Sequence, residues 1–230
     1  MVFSAYALKG RILPAIFSII LPIMVFNHFF VSEEFAKFVG GVLGAKIISN
    51  LTISGVCLYF LSETGRLFGK NVFERAYFKE ESQMPTTTFM MFGDKTYSDD
   101  YKNKFRDKVS HDFNIKLPTK KEETKDENSA RTRIVETMAL IRKKLHKNSF
   151  LLQHNIEYGA MRNVIGGAVL GICFSIINIV FFSTYVKIYL AVLISICTLL
   201  TYLMLIAFSK VIIGFYGKNY AKVLFREYIG

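Results

Sequence analysis

The sequence predicts an all-α membrane protein: four transmembrane helices, with a mostly helical cytosolic insert between the second and the third. Three observations carry this. The chain has 230 residues, 52% of them hydrophobic. Most of these fall in four runs, each near the roughly 20 residues that a bilayer-spanning helix needs. Basic residues flank the runs on one side, and no catalytic motif interrupts the pattern.

The first run is Ile12–Phe30. Pro14 falls in its first turn, where proline is tolerated, and Pro22 is expected to kink it. Lys9 and Arg11 would suit a secretory signal, but the "NHFFVSEEF" that follows has no small-x-small cleavage site, so the run is read as a retained span. The other runs are Phe38–Leu61, Val164–Ser183 and Tyr185–Ser209. They divide the chain into an N-terminal hairpin (1–62), a cytosolic domain (63–160), a C-terminal hairpin (161–209) and a cytosolic amphipathic tail (210–230).

The net charge of +11 sits almost entirely on one side of these runs. Lys9 and Arg11 precede the first, Arg66, Lys70, Arg75 and Lys79 follow the second, and Arg142, Lys143, Lys144, Lys147 and Arg162 precede the third. Lys210, Lys218, Lys222 and Arg226 follow the fourth. The opposite connections carry only Lys37, beside Glu33 and Glu34, and Lys187. This positive-inside bias predicts cytoplasmic termini and a cytoplasmic insert, as in a multi-pass protein of a bacterial inner membrane. Attraction to anionic headgroups accounts for the charge without a nucleic-acid partner.

Cys57, Cys173 and Cys197 all fall inside the runs, without metal-ligand spacing, and read as small apolar residues. His28, His111, His146 and His154 are scattered. There is no HExxH, GxSxG, CxxC or phosphate-binding glycine loop. No metal, cofactor or enzymatic activity is therefore expected.

Within the insert, "GRLFGKNVFERAYFKE" continues the second helix until Pro85, and "TTTFMMF" (86–92) has strand-like composition. A lone strand is marginal, so it would need a partner strand or helices to pack on. Ser98 before Asp99 and Asp100 caps a helix whose apolar face is Tyr101, Phe105 and Val109. Thr119-x-x-Glu122 is a candidate capping box; the polar segment it opens is read as a solvated helix, aided by Glu127 four residues before Arg131, or as a flexible linker. Ile134, Met138, Ile141 and Leu145 form one apolar stripe. It serves either the core of the insert or a contact with another subunit or partner.

The third span, entered through "SFLLQHNIEYGAMRNVIGGAVLG" (149–171), carries a small or polar row: Asn155, Gly159, Asn163, Gly167, Gly171, Ser175 and Asn178. Gly167-xxx-Gly171 permits close helix approach. On the second span Lys46, Asn50 and Ser54 share a sector. Lys46 lies about 12 Å in from the outer end at 1.5 Å per residue, where an ammonium costs about 2.5–3.5 kcal/mol unless it snorkels, pairs or meets water. These rows either pack helices or line a pore formed by a homo-oligomer. His154, Asn155, Tyr158 and Arg162, near the headgroups, are candidates for binding a partner or ligand. The tail, with Ile212, Tyr216, Tyr220 and Val223 or Leu224 on one side, reads as an amphipathic helix on the inner membrane surface.

The run "MPTTTFMMFGDKTYSDDYKNKFRDKVSHDFNIKLP", followed by "ARTRIVETMALIRKKL" and "LLQHNIEYGAMRNVIGG", resembles an uncharacterised group of small bacterial four-helix membrane proteins over residues 84–167. The order of two spans, an insert and two more spans is similar to membrane components of anti-phage defence systems. The resemblance transfers no site residue. It implies an oligomeric membrane effector or channel whose cytosolic domain senses a partner protein or small signalling ligand. The alternative is a membrane-anchored scaffold that recruits a cytosolic protein to the bilayer.

Overall fold

The computed structural model describes residues 7–30 and 47–230, with side chains from 7 to 30 and from 56 onward. The main helices are α1 (Leu13–Phe30), α2 (Ile47–Phe68), α3 (Asp99–Phe113), α4 (Lys120–Lys125), α5 (Glu127–Lys144), α6 (Ser149–Phe181), α7 (Tyr189–Ala207) and α8 (Ser209–Ile229). Shorter helical turns join them, and no strand occurs among the described residues. The chain divides into two compact units, one of residues 1–74 and 159–212 and one of 75–158 and 213–230.

Among the described residues, three helical stretches are long and apolar enough to cross a membrane: Leu8–Phe30, Ser149–Val186 and Tyr189–Ala207. The expected second span begins in residues outside those described and continues into α2. The first unit is built inside out relative to a water-soluble bundle. Ser18, Asn163, Ser175, Asn178, Ser195 and Thr198 are buried, whereas Phe17, Met24, Ile177, Leu193 and Met204 are exposed. An apolar exterior over a polar seam suits lipid, where the outer face gains nothing by burial and polar groups must pair internally. At one end the seam gives way to rings: Phe26 and Phe30 pack on Phe181 at 5.5 and 4.9 Å between centroids. Lys187, in the left-handed conformation (φ 57°), turns the chain from α6 into α7.

Three π-helical turns, Leu8–Ile12, Gly69–Glu74 and Phe182–Val186, adjoin α1, α2 and α6. The first precedes Pro14, which has no N–H to give Gly10 in an α-helical turn. Helical structure continues past α2 through Arg75–Phe78, as the sequence predicts, but it ends at Lys79 (φ 54°), six residues before Pro85. Pro85 instead opens a single helical turn, where a missing N–H is harmless.

The second unit has a conventional apolar core. Phe105 and Val109 of α3, Ile134, Met138 and Ile141 of α5, and Leu224, Phe225 and Tyr228 of α8 meet there with Phe89, Met90 and Met91. Two sequence expectations are corrected here. Residues 86–92 are a helical turn and a loop, not a strand. The side chains that hold this loop replace a ladder: Lys102 Nζ donates to the Met91 carbonyl at 2.7 Å and to that of Asp94, and Arg106 donates to the Met90 carbonyl at 2.8 Å. The Phe92 N–H is taken by Glu123 at 2.7 Å, and Glu123 is paired with Arg106 at 2.9 Å. The tail is likewise no membrane-surface helix. Ile213, Gly217 and Ala221 are buried, and Ala221, Leu224, Phe225 and Tyr228 enter the domain core, a face displaced by about one residue from the predicted one.

The capping signals act as read. The Ser98 side chain accepts from the Tyr101 N–H, and Thr119 and Glu122 form a reciprocal capping box. Glu127 pairs with Arg131 at 2.8 Å.

Candidate functional site: a packed polar row and a polar-ended cleft

The polar row of α6 meets other helices of the same unit. Asn163 Nδ2 donates to the Gly10 carbonyl at 2.7 Å, the group whose α-helical donor would have been the missing N–H of Pro14. Asn178 Nδ2 donates to the Pro22 carbonyl at 2.7 Å. Between them a Cβ on Gly167 would stand 1.8 Å from Ser18 Oγ, and one on Gly171 would stand 2.6 Å from the Ser18 carbonyl and from the Tyr202 ring. The Ser18 carbonyl has itself lost its α-helical donor to Pro22. Ser175 bonds the Gly171 carbonyl at 2.8 Å and Thr198 at 3.2 Å. Glycines at 167 and 171 thus let α1 and α7 reach the α6 backbone, and the asparagines bond the carbonyls of Gly10, in the π-helical turn before α1, and of Pro22 in α1.

Asn163, Gly167, Gly171, Ser175 and Asn178 are each buried in packing within one chain. Lys46 lies outside the described residues, as do the side chains of Asn50 and Ser54. A second close approach went unread in the sequence. A Cβ on Gly166 would fall 2.0 Å from the Gly65 carbonyl and 2.3 Å from Gly69 N. Gly65-xxx-Gly69 is the same small-xxx-small signal, but it lies beyond the predicted end of the second span. Beside it, Arg162 pairs with Glu74 at 2.8 Å, and Glu63 receives Arg66 at 2.6 Å and Arg11 at 3.5 Å. Arg162 is therefore part of a charged layer of the first unit.

The second unit contains a cleft of about 400 Å³, at the lower end of the size range for ligand sites. Its walls are mainly apolar, from Met84, Pro85, Leu145, Leu151 and Leu152, with Asn155 and Tyr158 of α6 on one side. One end is polar. Arg142 Nη1 pairs with Glu81 at 2.8 Å, and its Nη2 donates to Thr86 Oγ1 at 3.3 Å. The Tyr220 hydroxyl lies beside Arg142; burial raises the Tyr220 pKa, and the adjacent guanidinium partly offsets this.

Of the residues picked as a binding group, the structure brings Asn155 and Tyr158 to the cleft. His154 is not among its lining residues; it pairs with Glu157 at 3.0 Å along the same helix and packs on the Phe150 ring. Ile134, Met138 and Ile141 are fully buried in the domain core, so the reading of this stripe as a partner surface is corrected. Arg142, Glu81, Thr86 and Tyr220 were not foreseen. They come from separate segments and share no spacing. Among the described residues no group of three or more His, Cys, Asp or Glu side chains is placed to hold a metal ion.

Comparison with protein-family models, with curated proteins and with solved structures finds no match.

Proposed function

We propose that the protein is a multi-pass membrane protein whose second unit is a cytosolic sensing domain, with the cleft at Arg142, Tyr158 and Tyr220 as its binding site. In this reading the second of four spans is residues 38–61, and the protein lies in the inner membrane of a bacterium. The observation that carries this reading is the cleft itself: a concave, mainly apolar site with an arginine, a threonine and a tyrosine converging at one end. The expectation of a channel loses support. Its proposed lining in the third span is engaged with α1 and α7, and the inside-out first unit is sufficient as an anchor.

Native mass spectrometry of the protein extracted from its own membranes tests the site. The wild type is expected to retain a bound molecule or peptide that Asn155→Trp, which fills the cleft, does not. Equal retention by both, or none by either, refutes the cleft as the binding site.

A further inference from the structure

Glu81 is the feature of the cleft that its packing does not require. It sits on the connection after Lys79, is half exposed, and places its carboxylate on Arg142. Arg142 is also partly exposed, and a pair so open to water holds together weakly. The same guanidinium donates to Thr86 Oγ1, and the Tyr220 hydroxyl lies beside it. Three polar groups of different helical segments are thus gathered around one planar cation, whose fork geometry matches a carboxylate or phosphate. The rest of the lining is mainly apolar surface, from Met84, Pro85, Leu145, Leu151 and Leu152, with His146, Asn148 and Asn155 also present. Such walls favour hydrocarbon, because each buried methylene gains by leaving water.

We propose that the cleft binds a single-chain anionic amphiphile, with a carboxylate or phosphate monoester head on Arg142, Thr86 and Tyr220 and an aliphatic tail along the leucines. Glu81, paired with Arg142, competes with the ligand's anion for the guanidinium and is displaced when the ligand enters. This rests on the cleft being the binding site, and it adds the ligand class and a built-in competitor. It also carries a signed consequence: removing the Glu81 charge must tighten binding, because the ligand no longer competes with a tethered carboxylate.

The test is calorimetric titration of the full-length protein in lipid nanodiscs, with empty nanodiscs subtracted. Octanoate and octyl phosphate are the probes, octanol supplies the tail without the charge, and acetate supplies the charge without the tail. At least one of the two anionic probes is expected to bind saturably, at least tenfold tighter than octanol or acetate; which of them does so identifies the head. Arg142→Gln reduces its affinity at least tenfold, to the level of octanol, and Arg142→Lys lies between. Glu81→Gln tightens it severalfold, a gain that misfolding cannot imitate. The proposal is overturned if neither anion binds better than octanol, or if Glu81→Gln weakens the binding. If native mass spectrometry finds a molecule that Asn155→Trp loses while both anionic probes fail, the ligand class is wrong and the site stands. If nothing is retained and nothing binds, both are wrong.

Discussion

Asn163 shows what a single side chain contributes to this bundle. Its amide bonds the Gly10 carbonyl, which an α-helical N–H from residue 14 would have reached had that residue not been proline. Interhelical hydrogen bonds of this kind average about 0.6 kcal/mol and reach about 1.7 in membranes. Asn163→Leu is therefore expected to lower stability by about 1 kcal/mol. In a Pro14→Ala background, where residue 14 regains its N–H, the same change should cost less. Unfolding of the four variants in mixed micelles gives the coupling; equal costs in both backgrounds would exclude the proposed link. The asparagine was legible in the sequence as part of a row, and so was the proline. That the two belong together was not, because the register between helices more than a hundred residues apart depends on how the glycines let them approach.

Asp112 does for helices what Asn163 does for a carbonyl. Near the end of α3, it receives Lys144 of α5 at 2.6 Å and the Tyr228 hydroxyl of α8 at 2.9 Å. The Lys144 bond above all, with Tyr228 and His111, outweighs burial and lowers the Asp112 pKa to about 2. Because the folded value lies below the unfolded one of about 3.9, the stabilisation is fully present above pH 4 and is lost as the pH falls through 2. Asp112→Asn should lower the melting temperature at pH 7 and flatten the acid limb between pH 4 and 2; an unchanged acid limb would rule the tie out. At this scale the helix starts at Ser98 and Thr119 were legible, because a cap is a local pattern. The loop at 89–94 and the inward face of α8 were not. Phe89, Met90 and Met91 read as strand-like until Lys102 and Arg106 are seen to donate to the Met91 and Met90 carbonyls, a contact written in no local spacing. The alternation of lysines and tyrosines in α8 suits a membrane surface as well as a domain core.

For the whole molecule, the distribution of polarity predicts which parts water reaches. Cys57, Cys173 and Cys197 are exposed, yet they lie on helices whose exposed surface is largely apolar, so a membrane-impermeant maleimide should leave all three unmodified in intact membranes. Cysteines placed at Lys125 and Thr184 should react from opposite sides, Lys125 from the cytoplasm. Labelling of both from one side would overturn the four-span arrangement. The helical class and three of the runs could be read from composition, since lipid imposes a long, nearly uncharged segment. The cleft could not, because its polar end is assembled from residues 81, 86, 142 and 220, which only the folded domain brings together.

The two asparagine bonds also set a timetable for biosynthesis. Each joins residues separated by more than 150 positions, 153 in one case and 156 in the other. At about 5–20 residues per second of synthesis, the first helix waits roughly ten to thirty seconds for its partners to emerge. Until then it must lie in the bilayer, or in the insertion machinery, without its permanent neighbours. A chain stopped before residue 163 cannot complete either contact, so quality control has a simple mark by which to recognise it: a proline-bearing helix still unclasped.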